Sequence, residues 1–488
     1  MELFWHRRDL RVADNVGLAA AADRGSVTPV FVFDPDVLTH ASDVRVRRLL
    51  DGLSALRDAY RDHGSDLLVV QGEPTEVLPQ LVAALDAERI VWNRGYSGLA
   101  RKRDAAVRRA LDATDVPREA HHDAVLHTPD SIRTNAGDPY SVYSYYWKKW
   151  TDRDTDPPAA TPDDGRLVDI DEIHARIKGA DIDGAWLDTL PSPADLGFSE
   201  PNVDLGPAGT EAARERLDSF LSEAVFSYDD DRDYPAREGT SRLSAFLKYG
   251  EIGVREVYEA TKRAMTAAET ERGAEDAPEH VEEFQGQLAW REFYTQVLFH
   301  NPSVVTENYT EYEEGIDWRD DPEEIAAWKR GETGYPIVDA GMRQLRQEAY
   351  MHNRVRMIVA SFLTKDLLAD WRHGYEHFRE RLADHDTAND NGGWQWAAST
   401  GTDAQPYFRI FNPMTQGERY DPDAEYITEH VPELRGVEPD VIHGWHECSP
   451  TQRANAAPEY PAPIVDHSER REDALAMYKR ARGERPEG

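Results

Sequence analysis

Val27-Thr28-Pro29-Val30-Phe31-Val32-Phe33 is a short apolar run rich in β-branched and aromatic residues, and it belongs to a set that fills the first 130 or so positions. The others are Glu2 to His6, Asp66 to Val70 and Arg89 to Trp92, and the amphipathic stretches Val44 to Asp62 and Glu76 to Leu85 read as helices between them. Strands alternating with helices at this spacing build a parallel sheet, so residues 1–130 read as an α/β, Rossmann-like domain. No Gly-x-Gly-x-x-Gly follows the first strand. The loop that cradles a dinucleotide pyrophosphate is therefore missing, and this layer need not hold NAD.

Beyond Thr151 the composition shifts to Asp, Pro and Ala, as in Asp154-Thr155-Asp156-Pro157-Pro158-Ala159-Ala160. That suits a surface linker, and residues 131–206 read as one. Helix-period segments dominate after it: Gly206 to Ala224, Ser241 to Ala267, Val281 to Phe299, Val338 to Gln347 and Met351 to Leu368. Residues 207–488 thus read as a larger all-α domain, with no internal repeat.

A chain of 488 residues is long enough for two domains with separate cores. Its one cysteine, Cys448, excludes an intramolecular disulfide and any Cys-rich zinc or iron–sulfur centre. Charges appear too early in Met1-Glu2-Leu3-Phe4-Trp5-His6-Arg7-Arg8 for a signal peptide, and no long uncharged apolar run follows, so a cytoplasmic protein without a membrane partner is expected. Lys and Arg total 56 against 92 Asp and Glu, a net charge of −36. The acids are spread from end to end, as in a proteome adapted to molar salt; an acidic mesophilic enzyme is the alternative. Such a balance opposes DNA binding unless the bases gather on one face. Arg343, Arg346, Arg354, Arg356, Lys148, Lys149, Lys365 and Arg232 are the candidates for that face. In molar salt recognition must lean on base stacking.

Three groups of residues suggest chemistry. Gly239-Thr240-Ser241-Arg242-Leu243-Ser244 places hydroxyls at a helix start, where they serve as plain caps or bind an anion such as a pyrophosphate. Asp384 to Trp396 crowds carboxylates, amides, two glycines and two indoles together, which reads as a turn before an aromatic helix or as a hard-metal site at Asp384, His385, Asp386 and Asp390. The spacing of an EF-hand is absent, and no metal is expected. Trp290, Trp318, Trp328, Trp371, Trp394 and Trp396 fall in the helical half, where each alone reads as core. With Asn353, Arg354 and Arg356 they also suit a pocket where indoles stack on bases.

The blocks Phe4-Trp5-His6-Arg7-Arg8-Asp9-Leu10-Arg11, Trp290-Arg291-Glu292-Phe293-Tyr294, Thr333-Gly334-Tyr335-Pro336-Ile337-Val338-Asp339-Ala340 and Met351-His352-Asn353-Arg354 carry a resemblance. So do Gly392-Gly393-Trp394-Gln395-Trp396-Ala397-Ala398-Ser399-Thr400-Gly401-Thr402-Asp403 and Arg409-Ile410-Phe411-Asn412-Pro413. The chain resembles, over nearly its whole length, the class I cyclobutane pyrimidine dimer photolyases of the photolyase and cryptochrome superfamily. The resemblance implies FAD folded in the helical domain, with its phosphates near Tyr228, Thr240, Ser241, Arg242, Leu243 and Ser244. Arg291, Asn353, Arg356, Asp384, His385, Asp386 and Asp390 would surround its rings. It implies light-driven electron transfer from reduced FAD to a flipped-out dimer in DNA. Trp290 and Trp396 look like the indoles that stack on the dimer, with Arg232, Gln287, Asn353, Arg354 and Met357 about it. Trp394, Trp371 and Trp318 match the family's hopping chain for reducing the flavin.

Two positions depart from the pattern. Gln287 stands where dimer photolyases usually carry Glu; its amide donates a hydrogen bond but cannot transfer a proton. Gln there is shared with (6-4) photolyases and animal cryptochromes, yet Asn353 and Met357 stand where (6-4) enzymes have the histidines used in acid catalysis, which favours dimer repair. Asp390 stands where photolyases usually place Asn beside flavin N5, as in plant cryptochromes, and a carboxyl can hand a proton to the flavin radical. Tyr350 and Phe284 stand where Trp is common. Only a short charged segment follows Pro463, which weighs against a cryptochrome-type photoreceptor and for an enzyme acting as a monomer on damaged DNA. Phe31, Phe33, Arg45 and Lys248 resemble an antenna site for 8-hydroxy-5-deazaflavin, although Gly95 replaces an Asp of that type; plain sheet core is the alternative for the two phenylalanines.

Overall fold

The computed structural model describes residues 1–178, 180, 182, 186–270 and 276–484. Parts of the linker and the end of the charged tail, Arg485 to Gly488, lie outside the described residues. Six strands form one sheet: β1 Glu2–His6, β2 Val27–Phe33, β3 Leu68–Gln71, β4 Arg89–Asn93, β5 Arg118–His121 and β6 Trp186–Leu187, ordered β5-β4-β1-β2-β3-β6. All pairings are parallel except β3 with β6.

The apolar runs reflect burial on both faces of the sheet. Leu3 and Trp5 of β1, Val30 and Val32 of β2, and Trp92 of β4 join one core with Leu78 and Leu81 of the helix Pro74–Ala84 and Val107 of Gly98–Leu111. Phe4, Phe31, Phe33 and Val91 point the other way, onto Leu18 of Val16–Arg24 and Leu53 and Leu56 of Asp43–Asp62. This is the alternation a strand imposes. Beside the end of β1, side chains bond to one another: Asn93 Nδ2 donates to Asp9 Oδ2 at 2.6 Å and to Asn15 Oδ1 at 2.8 Å, and its Oδ1 accepts from Gly17 N at 3.0 Å.

The segment read as linker is partly built into this layer. It supplies β6 and the helix Ile170–Lys178, whose Ile173 and Ile177 enter the first core. The helix expected over Ser241 to Ala267 is interrupted, giving Ser244–Tyr249 and Val254–Thr270. Gly250 sits at the break with φ +65°, where a Cβ would lie 2.3 Å from the carbonyl oxygen of Arg8. Only glycine fits that approach.

Packing divides the chain into two compact units. The first comprises residues 1–140, 144–226 and 241–302; the second comprises 141–143, 227–240 and 303–488. In the first, Glu292 of the helix Ala277–His300 is buried and accepts from Leu126 N, His127 N and Trp150 Nε1, which ties that helix to the chain following β5. The second is helical around a core with Trp328, Tyr335, Trp371, Trp394, Tyr426 and Trp445. Among the described residues no helix is long and apolar enough to cross a membrane, and no cluster of metal-binding side chains occurs.

Candidate functional site

In the second unit the turn at Asp384 leads into the helix Thr387–Ala397, and Asp386 caps it by accepting from Ala388 N and Asn389 N at 3.1 Å each. Arg356, on the helix Asn353–Ser361, donates to Asp384 Oδ2 at 2.8 Å and approaches Asp390 Oδ1 at 3.6 Å. Its Nε donates to the Met351 carbonyl at 2.8 Å. Burial disfavours the Arg356 charge, but the Asp384 and Asp390 carboxylates more than offset it and hold its pKa above the ordinary value. His385 Nδ1 lies 2.6 Å from Asp390 Oδ2. Asp384 Oδ1 is buried with no hydrogen-bond partner among the described residues, an acceptor that calls for a donor from a bound group.

On the same helix Asn389, Gly393 and Trp396 follow one another at helical spacing and remain partly open, and a Cβ built on Gly393 meets nothing within 4 Å. Trp394 faces inward. Its ring lies 5.0 Å from Phe378 and 6.0 Å from Trp328, against Gly374. Trp371 is buried, 6.0 Å edge-on to Tyr375, with Nε1 donating to Asn308 Oδ1 at 2.9 Å. Trp318 is only half-buried and meets Tyr478 edge-on at 6.1 Å. Exposure of these three indoles thus increases from Trp394 and Trp371 to Trp318.

Asn353 is exposed, and its amide touches Met357 Sδ one turn on at 3.9 Å. Arg354 points elsewhere, onto Asp233 and across the Tyr420 ring at 4.5 Å. Tyr228 is buried beneath Arg232, which pairs with Asp229 at 3.4 Å.

The boundary between the two units passes between Thr240 and Ser241. The plain cap reading of this pair fails: the helix starts at Ser244, Leu243 stands at the cap without a side-chain bond, and Ser241 Oγ accepts from Leu243 N at 3.4 Å. Arg242 adopts φ +48°. In the first unit Gln287, Trp290, Arg291 and Tyr294 share a half-buried stripe of the helix Ala277–His300. Gln287 Nε2 donates to Glu283 Oε1 at 3.0 Å, Arg291 to the Ala124 carbonyl at 2.7 Å, and the Trp290 ring lies 5.6 Å from Phe293 and 5.5 Å from Tyr294.

The basic face expected from the sequence does not form as described. Lys365 is wholly buried, donating to Ser399 Oγ at 2.7 Å and to the Tyr407 carbonyl at 3.3 Å, and desolvation pushes its ammonium down to about 7. Arg343 is buried on Glu433 at 2.6 Å, and Arg354, Arg356 and Arg232 each sit on an acid. Arg346, Lys148 and Lys149 remain exposed. Phe33 lies in the sheet core with Phe31 at 5.1 Å, Arg45 donates to Ser42 Oγ and the His40 carbonyl, and Lys248 is half-buried. Glu292 as a clamp escapes sequence reading because its partners stand far off in the chain, and Tyr375 against His385 at 5.6 Å because only tertiary packing brings the two rings together.

Residues 2–163 match the family described as DNA photolyase, and residues 284–480 match the FAD binding domain of DNA photolyase. The chain is 61% identical to the deoxyribodipyrimidine photo-lyase of Halobacterium salinarum, over 99% of this chain and 100% of that one. It is similar to the crystal structure of a bacterial class III photolyase from Agrobacterium tumefaciens, with a TM-score of 0.83 and 34% identity over 99% of this chain and 98% of that one. An archaeal photolyase from Sulfolobus tokodaii, solved with two FAD molecules, aligns with a TM-score of 0.80 at 32% identity, covering 98% and 100% of the two chains.

Proposed function

The chain belongs to the DNA photolyase family, and from that premise we propose that it is a deoxyribodipyrimidine photo-lyase that repairs cyclobutane pyrimidine dimers in DNA with light and FAD. The observation that carries the reading is the buried Arg356–Asp384 pair, whose second carboxylate oxygen, Asp384 Oδ1, lacks a donor. An isoalloxazine ring offers an N–H of that kind, so the residues present fit the cofactor. Arg356, Asp384, His385, Asp386, Asp390 and Asn353 would hold FAD in the second unit, with Tyr228 and Thr240. When bound and reduced, FAD supplies the photoexcited electron that opens the dimer.

The chain's own residues provide positioning and exclusion of water. Arg356 and Asp384 neutralise one another, so neither charge is buried alone. Trp396, on the open stripe with Gly393, presents an indole face to a base, and Trp290 is the corresponding candidate in the first unit. Gln287 is a proposed donor to a dimer carbonyl, and Arg232, Arg354 and Met357 are proposed lesion contacts. Trp394, Trp371 and Trp318 are proposed hopping sites, two buried and the third, Trp318, half-buried. Asn353 and Met357 supply no acid, which favours dimer over (6-4) repair. Residues 207–488 are proposed as the cofactor-binding part of a cytoplasmic monomer, and 8-hydroxy-5-deazaflavin as an antenna near Phe33, Arg45 and Lys248. Holoprotein absorbance accounted for by FAD alone would exclude that antenna. The deciding assay is illumination of the reduced holoprotein with one oligonucleotide carrying a cyclobutane dimer and another carrying a (6-4) lesion. Repair of the first alone is expected; repair of only the second would reverse the assignment.

A further inference from the structure

His385 and Asp390 form a buried pair, with side chains 4% and 8% exposed and Nδ1 2.6 Å from Oδ2. At that separation one hydrogen lies between the two atoms, so the pair holds its proton as a unit. The second oxygen of Asp390 faces Arg356 Nη1 at 3.6 Å. Several neighbouring elements bring a group to this place. The helix Asn353–Ser361 brings Arg356, and Tyr350 lies beneath that guanidinium at 5.8 Å. The turn before Thr387 brings Asp384, whose Oδ2 accepts from Arg356, and Asp386, which accepts from two helix amides and from Asn389 Nδ2. The helix Trp371–Arg381 brings Tyr375, 5.6 Å from the imidazole, whose phenol is pushed up by burial and then by the Asp390 charge. Arg356 and Tyr375 therefore keep their protons through neutral pH, and the imidazole is the group whose ordinary titration range lies there.

Resting on the reading that FAD binds beside Arg356 and Asp384, we propose that His385 is a positioning residue that, through Asp390, couples reduction of the bound flavin to uptake of a proton by the protein. A soluble one-electron reductant delivers an electron to the cofactor. The His385–Asp390 pair takes up one proton from water. Added negative charge in a water-poor site raises the proton affinity of its neighbours, and this coupling is reciprocal: a pair that senses the electron must also tune the potential.

The test is a potentiometric titration of the FAD-loaded full chain in strong salt, repeated across neutral pH, for the natural chain, His385→Asn, Asp390→Asn and the double variant. Asn at 385 can keep a donor near the Nδ1 position but cannot titrate. The natural chain is expected to lose about 59 mV for each tenfold drop in proton activity, the value for one proton per electron. Each single variant should lose most of that slope, and the double should lose no more than either. A slope retained in His385→Asn overturns the proposal. A slope unchanged in all three, together with normal FAD content in Asp384→Ala, refutes the placement of the flavin itself. The natural chain gives a second measurement that needs no variant: histidine-labelled holoprotein should show the His385 ring titrating at higher pH after reduction, and an unmoved midpoint also overturns the proposal.

Discussion

Replacing Gly374 with Ala puts a methyl group into the ring of Trp394, and the outcome can be estimated from the packing. A Cβ built on Gly374 lies 2.0 Å from Trp394 Cη2, 2.3 Å from Cζ3 and 2.5 Å from Cζ2. Carbon atoms rest about 3.5–4.0 Å apart, so the indole must move by roughly 1.5 Å. It has little room: Trp394 is 2% exposed, and Phe378 and Trp328, both buried, hold its other sides. Overpacking of this kind costs about 1–3 kcal/mol. Alanine gains about 1 kcal/mol over glycine inside a helix, which offsets part of that cost. A net loss of up to about 2 kcal/mol remains, a factor of as much as roughly 30 in the folded-to-unfolded ratio. Urea unfolding in strong salt should show a lower midpoint at unchanged slope, and blue-light reduction of the bound FAD should slow because a proposed hopping indole has shifted. Gly393→Ala is the control: its Cβ meets open space, so its midpoint should hold or rise. A Gly374→Ala protein matching the natural chain in both midpoint and photoreduction rate would refute the placement of Trp394.

Asp384→Ala leaves the Arg356 charge with its nearest partner gone and should cost about 3–5 kcal/mol in unfolding experiments, with FAD content falling; the double change with Arg356→Met should recover stability but not the cofactor. Lys365 is pushed down to about 7 in the folded chain from 10.5. Between those values the unfolded chain holds a proton that the folded one lacks, so stability rises with pH across the window, and Lys365→Met should flatten that slope in urea titrations without weakening DNA binding. Trp318→Phe should abolish photoreduction of oxidised FAD in the spectrophotometer, while enzyme reduced chemically beforehand still repairs the dimer.

What the sequence revealed, and what it concealed, follows from how far apart the interacting groups stand. Strands β1 to β4 are legible because both of their faces are covered, leaving apolar runs. β5, Arg118-Glu119-Ala120-His121, is half-buried throughout at the sheet edge and has no such run. β6 is two residues long, inside a segment whose Asp, Pro and Ala content suggests a linker. The need for glycine at the break, Gly250, was hidden because the group it makes room for is the Arg8 carbonyl, far away in the chain. In the site, the likeness to known proteins brought Arg356 and Asp384 together across 28 positions, which no local pattern does. The partner of Asp390 is five residues away, yet it is tertiary context that buries the contact and places Tyr375 over it.

The arginines complete the account of how a chain of net charge −36 handles DNA. Arg232, Arg343, Arg354 and Arg356 are each already matched to an acid, and Lys365 is sealed in the core. A guanidinium held by a carboxylate presents little net field to a phosphate, and strong salt screens the remainder within a few ångströms. Arg346, Lys148 and Lys149 remain exposed, and the proposed lesion site adds contacts that salt does not weaken: an indole such as Trp396, beside a glycine that leaves its helix face bare. The acid coat and the aromatic site are thus consequences of one constraint, because a surface adapted to remain soluble in brine has to leave recognition to shape and stacking.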